Sequence, residues 1–195
     1  MRHSLLLLAL LALFSRGASA LPESVRDSVH DAVHASLNES APDAAGRVDW
    51  RQWGSGEMRW FGLALYRATL WVAGPSAGRL ADDVPLALAL EYRRDIPGER
   101  IVRASVDEMR KLGAAPDQLQ RWEAEMRRLF PDVKPGDVLT GVLMPGRGAR
   151  FFHHQRELGE VRDAEFARRF FAIWLDPRTS APDVRAALLQ RQEAR

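Results

Sequence analysis

The sequence contains no cysteine among its 195 residues. That excludes disulfide staples, thiol nucleophiles and cysteine metal sites, so the domain must hold together by core burial alone. Lysine is almost missing as well, with two copies against 26 arginines. Charge of one sign is not in excess. The formal balance of +2 disappears once Arg2 and Arg16 are removed with the first twenty residues, which leaves 26 charges of each sign. A nucleic-acid binder carries a basic excess or stripe, so no nucleic-acid partner is expected. Long apolar runs are absent too: the longest, Leu5 to Phe14, has ten residues, and a bilayer span needs about 20. No membrane span is expected. There is no Gly-x-Ser-x-Gly motif, and neither Ser105 nor Ser180 has an obvious base, so acyl transfer is unsupported.

The residues present first suggest export. Arg2 and His3 precede the apolar run, and Ala18-Ser19-Ala20 supplies the small-x-small pattern of a signal peptidase site. The expectation is a signal peptide over 1–20, a mature chain starting at Leu21, and a periplasmic or secreted protein. The lack of a twin-arginine pair favours the Sec route, and the lack of cysteine at the cleavage site excludes a lipoprotein anchor. The remaining 175 residues suffice for one domain with a sizeable core. Residues 21–46 read as a leader and linker. Val25, Val29, Val33 and Leu37 recur at helical spacing, and Asn38 to Gly46 is loop-like. The domain itself is expected over 47–195.

Strand patterning starts at Val48 and returns in Met58 to Val72, with Leu63, Leu65, Thr69 and Trp71 on one face. Ala64, Tyr66, Ala68, Leu70 and Val72 line the other, which predicts a strand buried on both sides. Val84 to Tyr92 is a further strand. The period then becomes helical over Ile101 to Leu112 and Leu119 to Phe130, stopped by Gly113 and Pro131. Asp137 to Met144 and Ala149 to Gln155 predict a hairpin around Pro145-Gly146-Arg147-Gly148. Two helices close the chain, Asp163 to Leu175 and Ser180 to Gln190, the latter with Ser180 as cap and Pro182 in its first turn. Strands, a helix pair, a hairpin and more helices make an α+β fold rather than a regular βαβ alternation.

Several of these stretches resemble the chalcone isomerase-like family, in its bacterial exported branch. They are Gly54-Ser-Gly56-Glu-Met-Arg59, Leu65 to Val72, Pro85 to Tyr92, Ser105 to Met109, Gly136 to Thr140, Phe166 to Leu175 and Thr179 to Arg185. They occur in order across roughly Val48 to Leu189. The resemblance implies an open-faced β-sandwich, an antiparallel sheet with helices layered on one side and a cleft between. It also places Arg59, after a Gly-x-Gly turn, where the plant enzymes hold developing negative charge, a sound use of a fixed guanidinium. The enzymes' strand hydroxyl falls at Arg67, with Thr69 two positions along. Their helix-borne tyrosine and asparagine fall at Ile101 and Glu108, so chalcone isomerase activity is not expected.

The resemblance to non-catalytic relatives implies instead an apolar cleft that takes an amphipathic carboxylate such as a fatty acid. Arg59 would be the anion anchor, and Leu65, Tyr66, Thr69, Trp71, Tyr92 and Ile101 the candidate lining and contact residues. The alternative is an isomerase or lyase with Arg59 as oxyanion holder. An interaction module without a small ligand is a third reading. No cofactor is expected. No metal is expected either, because His153 and His154, as adjacent strand residues, should point to opposite faces. Trp122 to Phe130 carries interleaved arginines, but Glu123 and Glu125 offset them, which indicates a solvated helix face rather than a membrane-seeking one.

Overall fold

The computed structural model describes residues 50–73 and 84–190. The expected signal peptide, leader and linker, and the strand start at Val48, lie outside the described residues.

Six strands form one antiparallel sheet in chain order. They are β1 (Trp50–Trp60), β2 (Leu63–Ala73), β3 (Leu86–Tyr92), β4 (Val138–Met144), β5 (Gly148–His153) and β6 (Arg156–Val161). Two helices, α1 (Gly98–Lys111) and α2 (Pro116–Leu129), are inserted between β3 and β4, and α3 (Ala164–Leu175) and α4 (Pro182–Leu189) follow β6. The bridge between Ile96 and Val133 closes the base of the inserted helix pair, with paired N–H···O bonds of 2.9 and 3.0 Å.

Alternation along the strands sorts side chains to two faces. Ala68, Leu70 and Val72 of β2 and Leu86, Leu88 and Leu90 of β3 face the helices and pack into the main core. Phe166, Phe170, Phe171 and Trp174 of α3 meet them there, in a chain of edge-to-face and stacked rings. The opposite face carries a smaller buried cluster around Trp50, Trp71, Val142 and Phe152. The α+β layering expected from the pattern is therefore observed.

Four expectations are corrected. Met58 to Val72 is not one strand. It folds into the β1–β2 hairpin at Phe61-Gly62, both left-handed at φ 47° and 78°, the backbone a two-residue turn requires. Phe-Gly lacks the asparagine or aspartate that usually signals such a turn, which is why the sequence pattern runs straight through it. The strand β6 was absent from the expected set, because its sequence, Arg-Glu-Leu-Gly-Glu-Val, is mostly polar. The cap of α4 is also different. The first residue before it is Ala181, without a side-chain cap. The buried Thr179 hydroxyl, not Ser180, accepts the Ala181 N–H at 3.1 Å while donating to the Ile173 carbonyl at 2.5 Å.

The Gly54-Ser-Gly56 motif is likewise not a turn but lies inside β1. Helix α4 crosses directly over it. A Cβ on Gly54 would sit 2.3 Å from the Leu188 carbonyl oxygen, and one on Gly56 2.9 Å from the Ala187 Cβ. These glycines permit close helix-on-sheet packing and cradle no anion.

Candidate functional site

A cavity of about 600 Å³ lies between the helix-facing side of the sheet and the helix layer. Its floor is built by Met58, Tyr66, Leu88, Leu90 and Tyr92 of the first three strands. Ile101, Ser105 and Glu108 of α1 and Ile173 and Trp174 of α3 form the roof, and Phe130, Phe151 and Phe170 close one end. The exposed lining residues Trp60, Leu63, Arg94 and Arg100 mark the opening. The periodicity of α1 explains the roof. Val102, Val106 and Met109 are turned into the core, and the neighbouring stripe of Ile101, Ser105 and Glu108 is left over the cavity.

Few polar groups reach this space. Tyr66 Oη accepts the Trp174 Nε1–H at 3.0 Å, which leaves the phenol proton free to donate. Burial pushes the Tyr66 phenol up to about 12; the Trp174 bond opposes this and the charge of Glu108 adds to it. Tyr92, packed edge-on at 5.8 Å from Tyr66, is also raised by burial, with a contribution from Tyr66. Both tyrosines are thus neutral hydrogen-bonding groups at physiological pH, not bases. Ser105 donates to its own helix at the Ile101 carbonyl, 2.9 Å away. Glu108 is held by Lys111 at 2.6 Å.

The expected site residues are divided by this geometry. Tyr66, Tyr92, Ile101 and Leu65 line the cavity. Arg59 does not. Its guanidinium is 60% exposed and pairs with Glu57 at 2.6 Å, two residues away on the same edge strand. Thr69, opposite Ala89, does not line the cavity, and Trp71 belongs to the cluster on the other face. The physical reason is the period of a strand: Thr69 and Trp71 are one residue out of step with Tyr66 and fall on the other face, and Leu63 and Leu65, in the same step, border the cavity only at the start of β2 beside the hairpin tip. Glu108, which the resemblance marked only as a departure, does line the cavity.

Arg94 and Arg100 were missed. Neither guanidinium has a hydrogen bond or ion pair among the described residues, whereas most other arginine side chains do; Arg100 bonds only through its backbone N–H, to the Pro97 carbonyl at 2.9 Å. No pattern in the sequence singles them out. Arg94 follows the end of β3 and Arg100 opens α1, and only the insertion of the helix pair brings both to the opening.

An antiparallel meander with helices on one side and an apolar cavity between the layers defines an open-faced β-sandwich. The chain belongs to the chalcone isomerase-like family, whose model matches residues 53–190. It is similar to an uncharacterized protein of Haemophilus influenzae, 27% identical over 151 residues, covering 77% of this chain and 73% of that one. Among solved structures it is similar to a fatty-acid binding protein of Arabidopsis thaliana, with a TM-score of 0.55 and 14% identity. That likeness covers 72% of this chain and 86% of the plant protein, and at such identity it speaks for the fold. No helix among the described residues is long and apolar enough to cross a membrane.

Proposed function

We propose that this protein is exported and binds an amphipathic carboxylate of the fatty-acid class in the cavity between sheet and helices, without transforming it. The carrying observation is an apolar cavity of about 600 Å³ with two unpaired arginines, Arg94 and Arg100, at its opening. Such a volume lies within the roughly 300–1,000 Å³ typical of small-molecule sites. An acyl chain would lie along Leu88, Leu90, Ile101 and Phe170, with its carboxylate at the guanidinium groups, where charge-assisted hydrogen bonds are strongest. The name of the plant neighbour, a fatty-acid binding protein, agrees with this reading. Export rests on the basic start, apolar run and Ala18-Ser19-Ala20 of the first twenty residues. An isomerase or lyase reading rested on Arg59, which lies outside the cavity and is paired.

The test is native mass spectrometry of protein purified from its own host, followed by fatty-acid titration of the delipidated form. The mass should correspond to a chain starting at Leu21 with a bound acyl carboxylate. A charge-assisted bond contributes about 1.5–3 kcal/mol, so Arg94→Gln with Arg100→Gln should weaken binding by roughly tenfold to a hundredfold. Equal affinity for the fatty acid and its methyl ester would refute the arginine anchor. A chain retaining Met1 would refute export.

A further inference from the structure

Below the Ile96–Val133 bridge, away from the acyl cavity, a second shallow pocket is lined by Asp95, Asp132, Lys134, Asp137 and His153 among others. We infer that Asp137, His153 and His154 form a binding site for a first-row divalent metal ion such as Zn²⁺, with an open coordination position toward this pocket. This does not depend on the fatty-acid reading.

The geometry comes from the end of β5. The strand stops at His153, and His154 begins a tight turn in the left-handed conformation, φ 52°. Strand alternation therefore fails at this one step. The two imidazoles turn to the same side, with ring centroids 4.7 Å apart. They meet Asp137, which immediately precedes β4 and is buried. His154 Nε2 lies 3.1 Å from Asp137 Oδ1, and His153 Nε2 lies 3.4 Å from Oδ2. All three potential ligand atoms fall within 4.8 Å of one another, in the one cluster of this kind among the described residues.

These separations suit a shared ion. With Zn–N and Zn–O distances of about 2.0–2.2 Å, two ligands of a tetrahedron lie roughly 3.3–3.5 Å apart, close to the two His–Asp separations, which run to different carboxylate oxygens. Two independent features support a ligand at this place. His153 Nε2 is buried and, although 3.4 Å from Asp137 Oδ2, makes no well-formed hydrogen bond, a state that costs free energy unless something better occupies it. The carboxylate is also pre-oriented, because Oδ2 accepts the Lys134 backbone N–H at 3.0 Å, as outer-shell bonds to ligating carboxylates do. Two imidazoles and one carboxylate are a borderline donor set, matched to Zn²⁺, Co²⁺ or Ni²⁺ rather than to Mg²⁺ or Ca²⁺. Three protein ligands leave a fourth position free. The Asp95–Pro97 segment borders both this pocket and the acyl cavity, so an ion here would sit behind one wall of the acyl site.

The experiment is titration of the metal-free, full mature chain with Co²⁺ and Zn²⁺ alone, read by visible absorption and calorimetry. One equivalent of Co²⁺ should bind and give the intense ligand-field bands of a four-coordinate site, and Zn²⁺ should displace it. His154→Asn keeps a residue that tolerates the left-handed turn, and His153→Gln keeps the strand. Each should weaken Zn²⁺ binding at least about tenfold, the lower end of what even outer-shell changes cost, with the circular dichroism spectrum and melting temperature of the metal-free form preserved. Absence of Co²⁺ bands, or equal Zn²⁺ affinity in wild type and both variants, would overturn the site.

Discussion

At the residue scale, the informative comparison is between Arg59 and Tyr66. Both lie on the first hairpin, but Arg59 pairs with Glu57 in solvent, and Tyr66 is turned inward to Trp174. An exposed pair of this kind contributes little to stability. Tyr66 has a measurable consequence at high pH. Its folded pKa is raised to about 12, against about 10 in an unfolded chain, so the folded state holds the phenol proton more tightly. The stabilisation from the neutral phenol is complete below about pH 10 and is lost as pH rises toward about 12. Alkaline unfolding followed by phenolate absorbance should therefore be cooperative in this window, with Tyr92 ionising together with unfolding. In Tyr66→Phe the alkaline slope should be shallower. At neutral pH this variant should be less stable by about 1–3 kcal/mol, because Trp174 Nε1–H loses its acceptor. An unchanged slope would place Tyr66 in contact with bulk water.

At the element scale, the contact of α4 with β1 is the feature most sensitive to a single methyl group. Gly54 lies under the backbone of α4, and its added Cβ would meet the Leu188 carbonyl oxygen at 2.3 Å and that of Ala187 at 2.4 Å. Backbone cannot swing aside as a flexible side chain can. Gly54→Ala should therefore lift the helix and cost about 1–3 kcal/mol, the usual range for overpacking, and equilibrium denaturation reads this directly. Gly62→Ala, at the exposed hairpin tip with nothing within 4 Å, has only its left-handed backbone to strain and makes a suitable control. Nearly equal losses in the two variants would mean that backbone conformation, not helix packing, is the constraint at Gly54. The tip itself presents Trp60, Phe61 and Leu63 at 61%, 87% and 50% exposure. Trp60 and Leu63 also border the cavity, so large apolar side chains stand in water at its opening, where an apolar ligand would cover them.

At the scale of the whole molecule, the cavity separates two layers that elsewhere pack tightly. A ligand filling it would bridge sheet and helices and bind only the folded state. At a free concentration one hundred times its Kd, stabilisation should be about 2.7 kcal/mol, and the melting temperature should rise by roughly 5–10 °C. Thermal melts with and without a long-chain fatty acid measure this. No shift at a saturating concentration would mean that the ligand sits on the surface rather than between the layers.

Much of the architecture was legible in the chain because it depends on local periodicity. The helices over Ile101–Leu112, Leu119–Phe130 and Asp163–Leu175, the strands on either side of Pro145–Gly148, and the α+β class all follow from spacing that burial enforces. The resemblance to the chalcone isomerase-like family was legible separately, in short stretches of sequence that occur in order. Where a period changes within one or two residues, the sequence was not enough. The turn at Phe61-Gly62 and the left-handed His154 each reorient neighbouring side chains by backbone torsion alone, and nothing in their residue types announces it. The polar rim of the cavity and the separate Asp137–His153–His154 cluster are a further step removed. Arg94 and Arg100 belong to different elements, and Asp137 is sixteen residues from His153. Their meeting depends on how β3, the inserted helices and the β4–β5 hairpin are set beside one another. Local pattern determined which segments could bury a face; only the packed sheet and helices decided which charged groups that burial left together.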